Sequence, residues 1–294
     1  TKRPPRNFSF DDHDDDDDDD QKKKKKQEET FRCSVDGDAD RVVFWYWAED
    51  GSFRVLDGDK IATLLVDFLA GVVDADAPED LKVGVVQTAY ANGASTAYLK
   101  GRGVEVLRAK TGVKHLHRAA KEAFDVGVYF EANGHGTVLF SDRARQVPSM
   151  APVAALANQV VGDALADALL VVAVLRRTNR DLRAWDRTYE DLPSVMTKVT
   201  VKDRTVLVTN DDETRLLRPI ELQAAIDDLV VVAIKKHQQH AARAFVRPSG
   251  TEDIVRVYAE ASTQQLADDL ATHVALAVFD LANGQGDRSA LLSE

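Results

Sequence analysis

Three aspartates stand close together in the stretch CSVDGDADRVVFW, which occupies residues 33–45 and ends in an apolar run. Asp36, Asp38 and Asp40 are separated only by single small residues. A hard divalent cation takes oxygen ligands, and carboxylates spaced in this way on a tight loop supply them. Mg²⁺ keeps few protein ligands and commonly shares its shell with a phosphate. We therefore interpret the loop as a Mg²⁺ site bordered by Arg41, and we expect phosphate chemistry beside it.

The aspartate loop has other interpretations, which the sequence supports unequally. An EF-hand is excluded, because Arg41 stands where that loop needs Gly and Trp47 stands where it needs Glu. A haloacid-dehalogenase-type phosphatase also uses a D-x-D turn, with its first Asp as nucleophile, but no other part of that pattern is visible here. A plain acidic turn that holds no ion is the third possibility.

A second polar cluster lies in FEANGHGT, between two apolar runs. Glu131 and Asn133 are hydrogen-bonding residues suited to vicinal sugar hydroxyls, and Gly134 and Gly136 permit tight turns. His135 is placed to act as an acid or base, or to bind phosphate. The alternative is an ordinary hairpin loop whose histidine is only solvated.

The third cluster, RPSGTEDIVRVY, is rich in groups that donate hydrogen bonds to phosphate. Arg247 supplies a guanidinium, Ser249 and Thr251 supply hydroxyls, and Gly250 allows close approach to the backbone N–H groups. Arg256 follows in the next apolar run and adds a second guanidinium. We interpret the loop as a phosphate cradle, against the alternative of an ordinary turn that ends a strand.

A weaker candidate is KTGVKHLHR. Lys114 and His115 follow a glycine turn and either line the same cleft as the other loops or form a charge cluster at the start of a helix.

The elements that must position these loops alternate along the chain. Buried strand patterns such as KVGVVQ and helical patterns such as VKHLHRAAKEA follow one another, which favours an α/β fold with a parallel or mixed sheet. The run DGDKIATLLVDFLAGVV predicts a helix capped by Asp57 or Asp59, with an apolar stripe of Ile61, Leu64, Leu65, Phe68 and Leu69. The run APVAALANQVVGDALADALLVVAVLRRT predicts one long helix or two. From about residue 186 the pattern changes to interleaved short strands and helices, typical of a smaller α+β domain. The predicted division is 1–29, low-complexity and disordered; 30–80, metal-binding; 81–185, sugar-binding; and 186–294, phosphate-binding.

Composition limits the classes of partner and the compartment. Of the net charge of −11, much comes from nine Asp in residues 11–20, set against five Lys in residues 22–26, and no basic face is predicted that would bind nucleic acid. No apolar run approaches the roughly 18 residues of a membrane span, and no apolar signal segment opens the chain. Cys33 is the single cysteine, which fits a reducing compartment, so we expect a cytoplasmic enzyme.

The three loops, in this order, resemble those of the phosphohexose mutase superfamily. DGDADR is similar to its Mg²⁺ loop, FEANGHG to its sugar-binding loop and RPSGTEDIVRVYAEA to its C-terminal phosphate-binding loop. EANGHG, QTAYANGAST, TGVKHLH and WDRTYEDLPS are similar to the eukaryotic phosphoacetylglucosamine mutases within it. The resemblance covers residues 31–294 and implies mixed-sheet α/β domains followed by a smaller α+β phosphate-binding domain.

The resemblance also implies a reaction and its residues. The reaction interconverts N-acetylglucosamine 6-phosphate and N-acetylglucosamine 1-phosphate, for UDP-N-acetylglucosamine biosynthesis, through a phosphoserine and a glucosamine-type 1,6-bisphosphate. It implies that Asp36, Asp38 and Asp40 hold Mg²⁺ against that phosphoserine, while Arg41 and His135 are catalytic. The residues implied to bind substrate are Lys114, Glu131, Ala132, Asn133, Arg247, Pro248, Ser249, Gly250, Thr251 and Arg256.

One part of the family pattern is missing from the 294 residues. The family's phosphoserine lies in a TASHNP-like loop of an N-terminal domain, and no such loop occurs here. Ser34 is expected to end a strand and Ser95 or Thr96 to cap a helix, so neither serine has those surroundings. Because the chain also begins with Thr1, we expect the C-terminal part of a mutase, catalytic only with a serine domain. The alternative is a natural short form that binds a sugar phosphate, or a partner mutase, without turnover.

Overall fold

The structure, a computed structural model, describes residues 31–237 and 242–292, without the side chains of 73–76 and 236–237. The segment predicted to be disordered, 1–29, lies outside the described residues. The chain forms two compact units. Among the described residues, unit 1 comprises residues 31–86, 99–106 and 117–190, and unit 2 comprises residues 87–98, 107–116, 191–237 and 242–292.

The described residues form short strands and mostly longer helices. The strands are β1 Cys33–Val35, β2 Val42–Trp47, β3 Phe53–Leu56, β4 Val83–Gln87, β5 Glu105–Arg108, β6 Val126–Phe130, β7 Gly136–Phe140, β8 Ser194–Thr200, β9 Val208–Thr209, β10 Leu216–Arg218, β11 Ala242–Pro248 and β12 Ile254–Ala261. The α-helices are α1 Gly58–Asp76, α2 Gly93–Gly101, α3 Val113–Ala123, α4 Asp142–Arg145, α5 Ala151–Leu156, α6 Ala164–Arg177, α7 Leu182–Asp186, α8 Ile220–His237 and α9 Gln264–Leu281. Two 3₁₀ helices span Arg204–Val206 and Arg288–Leu292.

The sheets confirm the mixed α/β class. Strands β1, β2 and β3 form an antiparallel sheet, and a second sheet has the order β5-β4-β6-β7. In the second sheet β4 is parallel to β6, whereas β6 and β7 form an antiparallel hairpin. The turn of that hairpin carries the residues between Phe130 and Gly136, so the sheet itself presents the EANGHG loop at one end.

The first long helix forms where the apolar spacing predicts it. Asp57 caps α1, because its Oδ1 accepts hydrogen bonds from the N–H groups of Asp59 at 3.1 Å and Lys60 at 3.3 Å. Four residues of the predicted stripe are at most 3% exposed, namely Ile61, Leu64, Leu65 and Leu69, whereas Phe68 is half-buried. Because most of the stripe is buried, the helix has a fixed position. Its first residue, Gly58, and the chain just before it therefore lie beneath the hairpin turn.

The helix after β4 corrects one prediction. Its cap is Asn92, whose Oδ1 accepts a hydrogen bond from the Ala94 N–H at 3.0 Å, and the helix begins at Gly93. Ser95 and Thr96 lie inside the helix, and their hydroxyl groups bond with the side chain of Gln87. The expected capping role of Ser95 or Thr96 was therefore wrong, because a better cap lies a few residues earlier.

Unit 2 contains the antiparallel sheet β11-β12-β8 with helices α8 and α9 packed against it. Its core is aliphatic and includes Val246, Val257 and Val274, all at most 1% exposed. This arrangement confirms the α+β character predicted for the C-terminal region. Within the described ranges, no helix combines the length and the apolar character that crossing a membrane requires.

Candidate functional site

The aspartate loop connects β1 to β2 and is organised by its own first carboxylate. Asp36 Oδ1 accepts hydrogen bonds from the backbone N–H groups of Asp40 and Arg41, each at 3.1 Å. Ala39 takes a left-handed conformation, with φ of 57°, which closes the turn. As a result, carboxylate oxygens of Asp36, Asp38 and Asp40 lie within 4.8 Å of one another, as the spacing predicts for a cation site.

The charges around this loop fit a cation better than a plain acidic turn. Arg41 Nε lies 3.5 Å from both Asp36 Oδ2 and Asp40 Oδ1. Asp40 Oδ1 is buried and has no hydrogen-bond partner among the described residues. Partial burial acts to raise the pKa of Asp36, but the backbone N–H groups of Arg41 and Asp40 lower it below its ordinary value. The donor set, all oxygen with one buried atom that accepts no hydrogen bond from the described residues, suits Mg²⁺.

The EANGHG turn is closed by its own backbone and side chains. Glu131 N–H donates to His135 O at 2.8 Å, and Gly134 N–H donates to Glu131 O at 2.8 Å. Asn133 Oδ1 accepts from the His135 N–H at 3.0 Å, and Asn133 Nδ2 lies 3.4 Å from Glu131 Oε2. The carboxylate and the amide are thereby held side by side, and the Asn133 side chain faces solvent.

The structure brings the aspartate loop and the EANGHG turn together. An antiparallel bridge joins Arg41 to His135, and the Val42 N–H donates to Gly134 O at 3.2 Å. His135 Nδ1 lies 3.6 Å from Asp40 Oδ2. Both residues expected to be catalytic, Arg41 and His135, therefore adjoin Asp40.

Two glycines make that approach possible. Gly134 has φ of 90°, and a Cβ built there would lie 2.0 Å from the Val42 carbonyl oxygen. Gly58, at the start of α1, packs under the turn: its N–H donates to Ala132 O at 3.4 Å, and a built Cβ would lie 1.8 Å from Glu131 O. No side chain fits at either position without moving the backbone of the turn.

A third segment of this site, the connection before α6, was not predicted from the sequence. The His135 ring packs on Gly162, where a built Cβ would lie 2.4 Å from Nε2. Next to it, the Ala164 N–H donates to Ala39 O at 2.9 Å. The break between α5 and α6, within a run predicted as one or two helices, thus serves both loops. The sign available in the sequence was Gly162 followed by Asp163, which interrupt a long apolar pattern.

In unit 2, the RPSGTED loop joins β11 to β12 and is tied by Ser249. This buried residue donates its N–H to Ile254 O at 2.9 Å, and its Oγ lies 3.4 Å from the N–H groups of Thr251 and Glu252. Thr251 is exposed, and a Cβ built at Gly250 would meet nothing within 4 Å. The tip of the loop is therefore open to a ligand.

Basic side chains are adjacent on the sheet beside this loop. Arg247 of β11 is directly opposite Arg256 of β12, which is directly opposite Lys198 of β8. Residues that face each other across strands lie on one side of a sheet, and like charges so placed repel each other. A bound anion would offset that repulsion. Sequence reasoning found Arg247 and Arg256 but missed Lys198, because only strand pairing brings it there.

Arg247 is braced by a residue that the sequence did not indicate. Glu213 Oε2 lies 2.9 Å from Arg247 Nε and accepts hydrogen bonds from Thr111 N at 3.0 Å and Thr111 Oγ1 at 2.6 Å. Burial acts to raise the pKa of Glu213, but Thr111 and Arg247 hold it below its ordinary value. Glu213 takes φ of 60°, so its backbone is held in a conformation that non-glycine residues seldom adopt.

The KTGVKH segment reaches this site through Thr111. Lys114 is exposed near the start of α3, and the His115 N–H donates to Gly112 O at 2.8 Å. Within the described part of the chain, no side-chain hydrogen bond or ion pair joins Lys114 or His115 to Arg247.

Ser34 and Ser95, the serines compared above with the family's phosphoserine, both have engaged hydroxyl groups. Ser34 Oγ accepts a hydrogen bond from Trp45 Nε1 at 3.1 Å within the β1–β2 sheet. Ser95 is fully buried, and its Oγ donates to Asn92 O at 2.8 Å. Neither hydroxyl is presented for transfer chemistry.

Two protein-family models match the chain. Residues 57–180 match the model described as Phosphoacetylglucosamine mutase AMG1, domain III, and this match contains the EANGHG turn. Residues 196–277 match the Phosphoglucomutase/phosphomannomutase C-terminal domain, which contains the RPSGTED loop.

Similar proteins agree with these matches. Human phosphoacetylglucosamine mutase is 50% identical over 273 residues, which cover 87% of this chain and 49% of that protein. The structure of Aspergillus fumigatus N-acetylphosphoglucosamine mutase in complex with GlcNAc-6P and magnesium is 45% identical, with a TM-score of 0.77, and the match covers 84% of this chain and 52% of that one. A serine-to-alanine variant of the same enzyme, in complex with glucose 1,6-bisphosphate, is 46% identical, with a TM-score of 0.77 and coverage of 85% and 48%.

The chain spans about half the length of the relatives it matches. The two family models cover its sheet-based EANGHG region and its C-terminal α+β region, and the solved structures share its fold. Residues 57–180 and 196–277 therefore match domains of phosphohexomutase type, and the chain is similar to the phosphoacetylglucosamine mutases over most of its length.

Proposed function

We propose that this chain carries the metal, sugar and phosphate loops of a phosphoacetylglucosamine mutase. The reaction is the interconversion of N-acetylglucosamine 6-phosphate and N-acetylglucosamine 1-phosphate, in the cytoplasm, for UDP-N-acetylglucosamine synthesis. The observation that carries the proposal is the bridge between Arg41 and His135, which sets three carboxylates beside the EANGHG turn. The complexes of the fungal relative with GlcNAc-6P and magnesium support the substrate and the metal.

The aspartate loop is the proposed Mg²⁺ site. Asp36, Asp38 and Asp40 would hold the ion, with Asp40 Oδ1, which accepts no hydrogen bond from the described part of the chain, as one of the oxygens available to it. Bound Mg²⁺ supplies neutralisation of charge on a phosphoryl group in transfer. Arg41, fixed between Asp36 and Asp40, adds a guanidinium at the same place and stabilises that charge.

The other two loops bind and orient the substrate. Glu131 and Asn133 hydrogen-bond sugar hydroxyls, and Ala132 contributes its backbone to the same turn. His135, held by its contacts with Asp40 and Gly162, is positioned to move a proton at a sugar oxygen. The residues that hold the phosphate not in transfer are Arg247, Pro248, Ser249, Gly250, Thr251 and Arg256, with Lys114 as a further substrate contact.

The phosphoryl donor is a phosphoserine that lies on a serine loop, which does not occur in these 294 residues. Ser34 and Ser95 do not replace it, because both hydroxyls are engaged inside the fold. A sugar 1,6-bisphosphate is the proposed intermediate, and the fungal complex with glucose 1,6-bisphosphate supports it. The engaged serines equally favour the second candidate, a short form that binds sugar phosphates without turnover.

The division of the chain into 30–80, 81–185 and 186–294 is also a proposal. The second family match begins at residue 196 and supports the last boundary. Limited proteolysis tests both boundaries: we expect cleavage near residues 80 and 186, and cuts confined to other positions contradict the division.

Binding of N-acetylglucosamine 6-phosphate to the chain, measured by titration calorimetry, tests the function. We expect binding, weakened by Arg247→Gln by about tenfold or more, because a charge-assisted hydrogen-bond pair to phosphate is lost. Arg218→Gln is the matched control, since Arg218 is exposed on β10 outside the proposed site. No binding by the wild-type chain at millimolar ligand, or equal affinity of Arg247→Gln and wild type, would contradict the proposal.

A further inference from the structure

Unit 2 contains a cleft that none of the three loops lines. Its volume is about 450 Å³, within the range of small-molecule sites. The residues that line it are Arg108, Thr214, Arg215, Asp227, Val230, Val231, Arg243, Ala244 and Phe245. They come from the end of β5, the connection into β10, helix α8 and the first half of β11. The cleft is therefore built by four separate segments.

Two of its three guanidinium groups are already paired. Arg215 donates to both carboxylate oxygens of Asp227, at 3.1 and 2.6 Å. Arg243 donates to both oxygens of Glu260, at 2.8 and 3.1 Å, and to the Ala89 carbonyl at 3.0 Å. These groups shape the cleft and have few donors left for a ligand.

Arg108 is different. It is half-buried, and among the described residues its side chain makes no hydrogen bond or ion pair. Burial first, and then the charge of Arg243, lower its pKa below the ordinary value, so this guanidinium is poorly compensated. Asp212, Glu260 and Tyr258 act in the opposite direction, but Asp212 Oδ1 accepts a 2.6 Å hydrogen bond from Thr214 Oγ1, and both Glu260 oxygens accept from Arg243. The planar guanidinium of Arg108 carries several N–H donors without a hydrogen-bond partner among the described residues, and this geometry is suited to binding a phosphate.

The remaining lining is apolar. Val230, Val231, Ala244 and Phe245 form this part of the wall, and Val231 is 45% exposed. An inorganic anion would leave this surface uncovered. Because Asp227 and Glu260 already neutralise Arg215 and Arg243, the charge left for a ligand in this cleft is that of Arg108, which a phosphate group on an otherwise apolar ligand would meet.

We propose that this cleft is a second ligand site, in which Arg108 binds the phosphate of a nucleoside monophosphate whose ring lies against Val230 and Val231. The site is separate from the RPSGTED loop, and it does not depend on the proposed mutase function. Its residues belong to unit 2 alone, so it is complete within that unit.

The test measures binding of UMP and AMP by calorimetry in the Arg247→Gln background, which disables the phosphate cradle. We expect binding to persist in that background and to weaken about tenfold or more on adding Arg108→Gln. Adding Arg218→Gln instead, the same charge change on exposed β10, should have no effect beyond a small salt-dependent one.

Inorganic phosphate is the second probe, and it is expected to bind more weakly than either nucleotide. If Arg108→Gln does not fold, as judged by circular dichroism, Arg108→Lys replaces it; this variant keeps the charge, loses the fork and should bind several-fold more weakly. The proposal is overturned if no nucleotide binds in the Arg247→Gln background, if the folded Arg108 variant binds like its parent, or if inorganic phosphate binds as well as the nucleotides.

Discussion

The EANGHG turn in unit 1 and the RPSGTED loop in unit 2 both contain glycine, but glycine has a different task in each. At Gly134 the backbone is left-handed, and a Cβ would lie 2.0 Å from the Val42 carbonyl oxygen. At Gly250 a Cβ would meet nothing within 4 Å. The first glycine is required by the fold, because two loops meet there. The second leaves the loop tip accessible.

The two regions also differ in what holds them. The unit 1 loops are joined by backbone hydrogen bonds, including Val42 N–H to Gly134 O and Ala164 N–H to Ala39 O. The unit 2 loop is closed by a backbone hydrogen bond of its own, from Ser249 N–H to Ile254 O, but its phosphate-binding Arg247 is held by a side chain, in the ion pair with Glu213. The comparison teaches that identical residue types in two ligand loops do not imply the same sensitivity to substitution. Substitutions in the unit 1 loops should mainly lower the free energy of unfolding. Substitutions around the unit 2 loop should mainly lower the affinity for the sugar phosphate.

The largest expected effect comes from Gly134→Ala. A Cβ at this position combines steric overlap with a left-handed backbone, so we expect the free energy of unfolding to fall by about 3 kcal/mol or more, measured by chemical denaturation. Gly250→Ala is the matched control and should change stability by less than about 0.5 kcal/mol. Equal losses in the two variants would remove the distinction between the loops.

The buried carboxyl of Asp167, on α6, should make the stability of unit 1 depend on pH. Burial first, and then the charge of Asp163, raise the pKa of Asp167 from 3.8 to about 8. The folded protein therefore keeps a proton that the unfolded chain releases, and this contribution to stability, full below pH 3.8, is lost as pH rises to about 8.

Asp167→Asn tests that pH dependence. Between about pH 5 and about pH 7, the wild-type free energy of unfolding should fall by roughly 2 kcal/mol relative to the variant. Both unfolding curves are measured by denaturant titration at each pH. Parallel pH dependences of the two proteins would show that the carboxyl is not held neutral.

Glu213→Gln tests whether a substitution in unit 2 lowers affinity more than stability. The amide keeps an acceptor for Thr111 but removes the charge beside Arg247 Nε, so the guanidinium is less well oriented. We expect affinity for N-acetylglucosamine 6-phosphate to fall about five- to tenfold, with a loss of stability of about 1 kcal/mol. An unchanged affinity, with only stability reduced, would show that Glu213 has a purely structural role.

The smallest expected effect is that of Lys198→Gln. Lys198 is exposed and opposite Arg256, so its removal should weaken sugar-phosphate binding about two- to threefold and reduce the salt dependence of binding. Lys202→Gln, an exposed lysine just beyond β8, is the matched control. Calorimetry at two salt concentrations separates the variants, and the same salt slope for both would exclude a role of Lys198 in the phosphate site.

The features that were predicted from the sequence are those that depend on the spacing of residues close together in the chain. The aspartate spacing and the strand–loop–strand pattern around Asn133 indicated the loops, and the apolar stripe and Asp57 cap of α1 were confirmed. Lys198 and Glu213 were missed, because strand register and a contact with Thr111 bring them to Arg247 from distant parts of the chain. The roles of individual site residues stay predictions, since geometry alone does not measure them.

Turnover tests the central claim most directly. The chain is supplied with N-acetylglucosamine 6-phosphate, Mg²⁺ and catalytic sugar 1,6-bisphosphate, alone and together with the serine-bearing N-terminal part of a relative. The account predicts no 1-phosphate from the chain alone, formation of 1-phosphate when the serine loop is supplied, and loss of that activity in Asp38→Asn. Turnover by the chain alone, or undiminished activity of Asp38→Asn with the serine loop present, would contradict it.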